Sequence, residues 1–284
     1  MQKAANKGAE SIITERKANI MDIIFYLVPL FFIIAIIYSS VGFGGGSSYL
    51  AVMALFSFPY HVMPKASLLC NIVVVSGACW IFYKSGHLKF KSLLPFIIGS
   101  LPMAYLGGKV VMNKQLFLLI LGGVLIAASR NLFFLNTRKR IQLKMDLFAS
   151  DSESPSVTDG RYLTVIVKIL IGAVIGFISG AIGIGGGILL APVLYFTRWG
   201  YAKQIAAASC FFIFINSISG ICGQLSKGFS FEEMAAIVPL AASVFIGGQV
   251  GSRLGAFRLS ELVMKRATAI LALFAGIRIL AQIY

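Results

Sequence analysis

Residues 23–64 contain no Asp, Glu, Lys or Arg. About 20 apolar residues cross a bilayer as a helix, and further uncharged runs of that size recur along the chain. Charged residues make up only 12% of the sequence and its mean hydropathy is +0.88, whereas soluble domains carry about 25% charge. A transmembrane β-barrel is excluded, because its strands are short alternating segments rather than continuous apolar runs. The chain therefore reads as an all-α integral membrane protein.

Ten apolar segments stand out, at about 22–41, 45–58, 66–84, 92–112, 115–135, 163–182, 186–197, 204–225, 232–252 and 262–283. Between the fifth and sixth lies "NTRKRIQLKMDLFASDSESPSVTDGR", charged, Ser-rich and broken by Pro155, which reads as a linker. The expected organisation is an N-terminal polar tail (1–21), a first transmembrane repeat (22–135), a linker (136–162) and a second transmembrane repeat (163–284). The tail mixes Lys3, Lys7, Glu10, Glu15, Arg16, Lys17 and Asp22. No small-residue cleavage site follows a short apolar core, so the first segment is expected to be retained.

The two halves resemble each other. Gly42-Phe43-Gly44-Gly45-Gly46 matches Gly183-Ile184-Gly185-Gly186-Gly187, Ala66-Ser67 matches Ala208-Ser209, Gly107-Gly108 matches Gly247-Gly248, and Arg130 matches Arg278. In order and at an offset of about 140 residues, these matches point to an internal duplication, a common build of secondary transporters. Five segments per half is an odd number, so the second copy should be upside down. The expected fold is two inverted repeats of about five apolar segments each. Short helices, glycine-broken or re-entrant, meet near the bilayer midplane.

Charge counting orients this arrangement. One side collects Lys84, Lys89, Lys91, Arg138, Lys139, Arg140, Lys144, Arg161, Arg198, Lys203, Arg253, Arg258, Lys265 and Arg266. The other collects Lys3, Lys7, Arg16, Lys17, Lys65, Lys109, Lys114 and Lys227. Positive charge favours the cytoplasm, which places the linker inside and both termini outside. The net charge of +15 is thus a topology signal, and no basic domain outside the membrane is present to hold nucleic acid.

Glycine costs roughly 1 kcal/mol in a helix interior relative to alanine, so two triple-glycine breaks in the most apolar regions need a reason. Irregular backbone at membrane depth is tolerated where it is buried in protein or lines a cavity. Each break precedes a short segment whose first N–H groups lack intrahelical partners and carry the positive end of the helix dipole. That is the make-up of an anion site without charged side chains. The candidate substrate-binding residues are Gly44, Gly45, Gly46, Ser47 and Ser48 in the first copy, Gly185, Gly186 and Gly187 in the second, and Asn71 and Asn216 on the segments that follow. Ser67, Ser209, Ser76, Ser219 and Gln224 accompany them. Arg130 and Arg278 are candidates for a gate or access path. Glycines away from the breaks, such as Gly99 and Gly172, are expected to accept alanine at small cost.

The paired Gly-x-Gly-Gly-Gly motifs, Pro192 five residues past the second triplet, and the "AAAS" run at 206–209 before an Asn-containing helix resemble the sulfite exporter TauE/SafE family, also called toluene-sulfonate uptake permeases. The resemblance covers nearly the whole chain from about residue 22. In the first copy Ala51 and Val52 stand where the second has proline. The resemblance implies transport of small sulfur-containing anions across a bacterial-type inner membrane.

The acidic residues lie in tails, in the linker or at segment ends. A membrane-buried carboxylate is the usual proton relay or cation ligand, so cation transport is disfavoured. His61 and His87 sit near segment ends. Cys70, Cys79, Cys210 and Cys222 fall in apolar segments without a C-x-x-C pair and read as inert buried residues. No cofactor and no metal ligand set is expected, and the partners implied are a small sulfur-containing anion and the lipid bilayer. The reading is a secondary transporter working by alternating access. An anion channel is the alternative, and an intramembrane enzyme lacks a nucleophile–base pair in the spans.

Overall fold

The described residues form nine helices, with no strand among them. The structure, a computed structural model, describes residues 2–39, 44–84, 86, 88–134, 163–197, 199–200, 202–228, 230–254, 270, 273–274 and 276–281. The helices are α1 (Gln2–Ser39), α2 (Gly46–Leu55), α3 (Met63–Lys84), α4 (Phe90–Lys109), α5 (Lys114–Phe134), α6 (Leu163–Ile182), α7 (Gly187–Phe196), α8 (Ala202–Leu225) and α9 (Phe231–Leu254). Helical backbone returns at 270, 273–274 and 276–281. The first nine expected segments fall on these helices; most of the tenth, expected at 262–283, lies outside the described residues. The linker expected at 136–162 lies outside the described residues, as do Gly42 and Phe43 of the first motif. The expected polar tail is helical from Gln2 and continuous with the first span; its Ala, Lys and Glu residues are strong helix formers.

Among the described residues, six stretches are long and apolar enough to cross a membrane: Met21–Ser39, Met63–Lys84, Phe90–Lys109, Val165–Ile182, Gln204–Leu225 and Glu233–Gly251. Apolar residues that face outward, such as Ile166, Leu170 and Val174 on α6 and Val238, Phe245 and Ile246 on α9, suit a lipid environment, where the outer face must be as apolar as the tails around it.

Small residues set the helix contacts. The most extensive contact is between α4 and α6. Gly172, Gly176 and Gly180 recur every fourth residue on α6, and a Cβ at each would collide with the carbonyl oxygen of Phe96, Ser100 and Ala104 in turn. This is close backbone approach through small-xxx-small spacing. Gly99 and Gly172 are therefore not tolerant positions, contrary to the expectation above: a Cβ at Gly99 would collide with the Ile169 carbonyl. Glycine in this membrane core serves packing as well as breaks. The second large contact joins α1 and α9, with Gly247 against Phe32 and Gly251 against Ile36 and Ser39.

These registers fix directions. Residue numbers rise together in the α4–α6 pairing and in the α4–α8 pairing, where Ser219 donates to the Leu101 carbonyl and Gly223 packs on Tyr105. So α4, α6 and α8 run one way. By the same reasoning α1 runs with α9, and α3 runs with α9 through Lys65–Glu233 and Val74–Gly248. Helix α2 reverses against α1: Tyr49 stacks on Phe31 at 4.6 Å and Phe56 on Tyr26 at 6.3 Å between ring centroids. Helix α7 likewise turns back, since Leu190 and Leu194 share a buried cluster with Leu93, Phe96, Ile97 and Ile205 at the starts of α4 and α8. Both short helices thus double back after the break, the hairpin arrangement of the two considered.

Candidate functional site at the paired glycine breaks

The two breaks lie together in the core, against α3 and α8. Asn71, fully buried on α3, donates from Nδ2 to the Ile184 carbonyl at 3.1 Å. Ser67, one turn earlier, donates to the Gly183 carbonyl at 2.7 Å and reaches the Gly46 carbonyl at 3.2 Å. One face of α3 therefore ties both breaks, one from each half of the chain.

Glycine is required here for two separate reasons. In the second break Gly183, Gly185 and Gly186 have φ of 90°, 82° and 81°, a region costly for residues with a Cβ. In the first break Gly45 has an ordinary φ of −92°, and the constraint is space. A Cβ there would sit 2.8 Å from the Tyr49 ring and 2.9 Å from Ile34.

The break contacts exchange between the halves. A Cβ at Gly44 would meet Asn71, Ile213 and Val75, and one at Gly185 would meet Asn71, Ile213 and Ser217. Gly45 faces Ile34 as Gly186 faces Ile175. Under the offset of about 140 residues, the counterpart of Asn71 is Ile213 rather than Asn216, and that of Val75 is Ser217. The polar groups facing Gly44 and Gly185 are consequently lopsided, the Asn71 amide from the first half and the Ser217 hydroxyl from the second.

Asn216 is fully buried but donates back to the Phe212 carbonyl of its own helix at 3.0 Å, and no contact brings it to a break glycine. Ser48 is buried and its hydroxyl is shared with Tyr38 at 2.7 Å; Ser47 is buried beside it. Gly187 packs on Ile213 at the start of α7. Arg130 and Arg278 are exposed. They ride on α5 and the 276–281 helical stretch, which pack on each other through Gly122 and Gly276, and the structure does not bring them to the breaks.

Sequence reasoning missed Ser179, Ser217 and Tyr49. Six buried side-chain atoms have no hydrogen-bond partner among the described residues: Tyr49 Oη, Asn71 Oδ1, Ser179 Oγ, Ser209 Oγ, Asn216 Oδ1 and Ser217 Oγ. Four of these belong to residues in the shell of a break glycine. Ser217 Oγ lies 3.1 Å from where a Cβ at Gly185 would stand, Ser179 Oγ lies 3.3 Å from that of Gly186, Asn71 Oδ1 lies 2.9 Å from that of Gly44, and the Tyr49 ring packs on Gly45. An unsatisfied buried polar group costs about 1–3 kcal/mol, and native interiors hold few of them. Such a cluster, beside two helix N-termini, is chemistry suited to hydrogen-bonding a small polar guest.

A family model described as Sulfite exporter TauE/SafE matches residues 27–279. The chain is 29% identical over 255 residues to "Probable membrane transporter protein y4hK" of Sinorhizobium fredii, covering 89% of this chain and 97% of that one. It is 28% identical over 243 residues to "Probable membrane transporter protein YunE" of Bacillus subtilis, covering 80% and 86%. A third such relative, from Methanocaldococcus jannaschii, is 27% identical over 248 residues, covering 81% and 84%. No solved structure matches the chain. With a helical membrane fold and a family match over nearly its whole length, the chain belongs to the sulfite exporter TauE/SafE family of transmembrane transporters.

Proposed function

We propose that the protein is a secondary transporter of small sulfur-containing anions, sulfite, a sulfonate or a related oxyanion, working by alternating access between two inverted halves. The observation that carries this reading is the pair of glycine breaks tied by Asn71 and Ser67 and ringed by unpartnered hydroxyl and amide oxygens. Backbone N–H groups of Gly44–Gly46, Ser47, Ser48 and Gly185–Gly187, with the Ser179 and Ser217 hydroxyls, supply hydrogen-bond donors without a fixed cation, while Asn71 holds the second break through its Nδ2 bond to Ile184. Hydroxyls and backbone N–H groups can donate to sulfur oxyanions, and the helix N-termini favour negative charge. Asn216, on α8 beside Ser217, is proposed as a lining residue, and Arg130 and Arg278 as an access path.

Inversion of the halves is supported by direction. Helices α1 and α3 run opposite to their counterparts α6 and α8, and α4 runs opposite to α9, since numbers on α3 rise as those on α8 fall, from Leu68 on Gly220 to Cys79 beside Cys210. The start of α1 then falls on one face, and the end of α5 and the start of α6 on the other. The bias of positive charge places the linker in the cytoplasm of a cell bounded by a bacterial-type inner membrane.

The test is flux into proteoliposomes holding the purified full-length chain, with sulfite, an alkylsulfonate, sulfate, acetate and chloride offered separately. Saturable uptake of a sulfur oxyanion that supports counterflow is the expected result. Flux linear in concentration without counterflow would mean a channel, and no flux of any sulfur anion would overturn the substrate assignment.

A further inference from the structure

A cavity of about 550 Å³ lies at the face where α3 and α9 begin and α4, α6 and α8 end. Its lining includes Lys65, Lys227, His61, Glu233, Gln224 and Pro64. We infer that this cavity is a second anion-binding site, an antechamber in which Lys65 and Lys227 hold an oxyanion before it reaches the glycine breaks. The inference rests on the anion-transport reading.

Lys65 is 5% exposed, and its ammonium donates to Glu233 Oε2 at 2.6 Å and to the Gly228 carbonyl at 2.9 Å. His61 Nε2 stands 3.8 Å from the other Glu233 oxygen. Lys227 donates to the Val110 carbonyl at 2.7 Å and to Gln224 Oε1 at 3.0 Å, both neutral acceptors. No carboxylate pairs with it among the described residues. The cavity thus holds two lysines and one carboxylate. That surplus of positive charge in a recess bounded by low-dielectric walls concentrates anions. Burial and the neighbouring Lys65 lower the Lys227 pKa from its ordinary value, a strain that a bound anion relieves.

The cavity's lining adjoins the second break. Pro64 and Ala181 line it, and Pro64 is the residue against which Gly183 packs. Lys65 lies two residues before Ser67, which holds both breaks. Gln224 links the two regions: its Nε2 donates to the Gly180 and Ala181 carbonyls at the end of α6, while its Oε1 accepts from Lys227. Glu233 occupies the place on Lys65 that an incoming oxyanion competes for.

The test uses the full-length protein in lipid nanodiscs, titrated separately with sulfite, sulfate and phosphate and read as thermal stabilisation, alongside sulfite flux in proteoliposomes. Lys227→Gln should weaken binding of all three oxyanions about tenfold or more, as loss of a charge-assisted hydrogen bond does. It should raise the flux KM with little change in maximal rate, and Lys227→Arg should retain most of the binding. Glu233→Gln removes the competing carboxylate from Lys65, so this variant should gain more stability than wild type from added sulfate, a readout that holds even if Lys227→Gln folds poorly. Wild-type affinity and KM in Lys227→Gln, with no enhanced sulfate response in Glu233→Gln, would overturn the antechamber. That outcome with intact sulfite flux leaves the transport reading standing. Oxyanion binding lost in Lys227→Gln, in a protein that moves no sulfur anion, supports the antechamber and removes the substrate assignment instead.

Discussion

Replacing Gly186 by alanine separates backbone strain from helix propensity. At φ of 81° any residue with a Cβ carries a cost of roughly 1–2 kcal/mol. The new methyl would stand 2.9 Å from the Phe212 ring, 3.2 Å from Ile175 and 3.3 Å from Ser179 Oγ. The first of these distances forces a shift in a fully buried aromatic, an overpacking cost of about 1–3 kcal/mol. Reduced freedom of the unfolded chain returns about 0.4–1 kcal/mol. The net is a loss of about 1–5 kcal/mol. Gly123 and Gly77, in the helices α5 and α3 with open space around the would-be Cβ, make the matched controls. Alanine there should be neutral or stabilising by up to about 1 kcal/mol. The assay is thermal unfolding of each purified variant in the same nanodisc lipid. A Gly186→Ala melt at or above that of Gly123→Ala would refute both the strain and the crowding argument.

Gly180→Val places a branched side chain against the Ala104 carbonyl and should abolish the folded yield, measured as monodisperse protein after extraction, while Gly77→Val retains it. Replacing Cys70, Cys79, Cys210 and Cys222 together by alanine or serine should leave sulfite flux within about twofold of wild type, since none carries a proposed role; the Cys79–Cys210 sulfur separation of 3.3 Å makes loss of flux in this variant the result that would assign them one. A reporter fused after Tyr284 should be active only outside the cytoplasm, and a cytoplasmic signal would reverse the orientation drawn from charge bias.

The helix positions were legible because hydrophobic length and glycine breaks are local features of the chain. The meeting of Gly44–Gly46 with Gly183–Gly187 was legible as well, since irregular backbone in lipid has few places to go. The partners of those glycines were not. Asn71 and Asn216 look alike in sequence, yet one spans to Ile184 and the other bonds its own helix, a difference set by helix rotation. Ser179 and Ser217 sit in long apolar runs where a serine carries no signal until the face it occupies is known. Gly99 and Gly172 show the same limit, since a glycine at a helix crossing and one in open space are identical in the chain. Lys65 counted only as a topology charge, although it is buried against Glu233.

The central claim is that the unpartnered hydroxyls around the breaks hold the anion, and Ser217→Ala tests it most directly. Ser217 Oγ is buried and has no protein partner among the described residues, so its removal should leave unliganded thermal stability unchanged or slightly raised. If the hydroxyl donates to a bound sulfur oxyanion, sulfite affinity read from ligand-induced thermal stabilisation should fall about tenfold or more. Sulfite stabilisation equal to that of wild type, in a Ser217→Ala protein of unaltered melting temperature, would contradict the placement of the substrate at the glycine breaks.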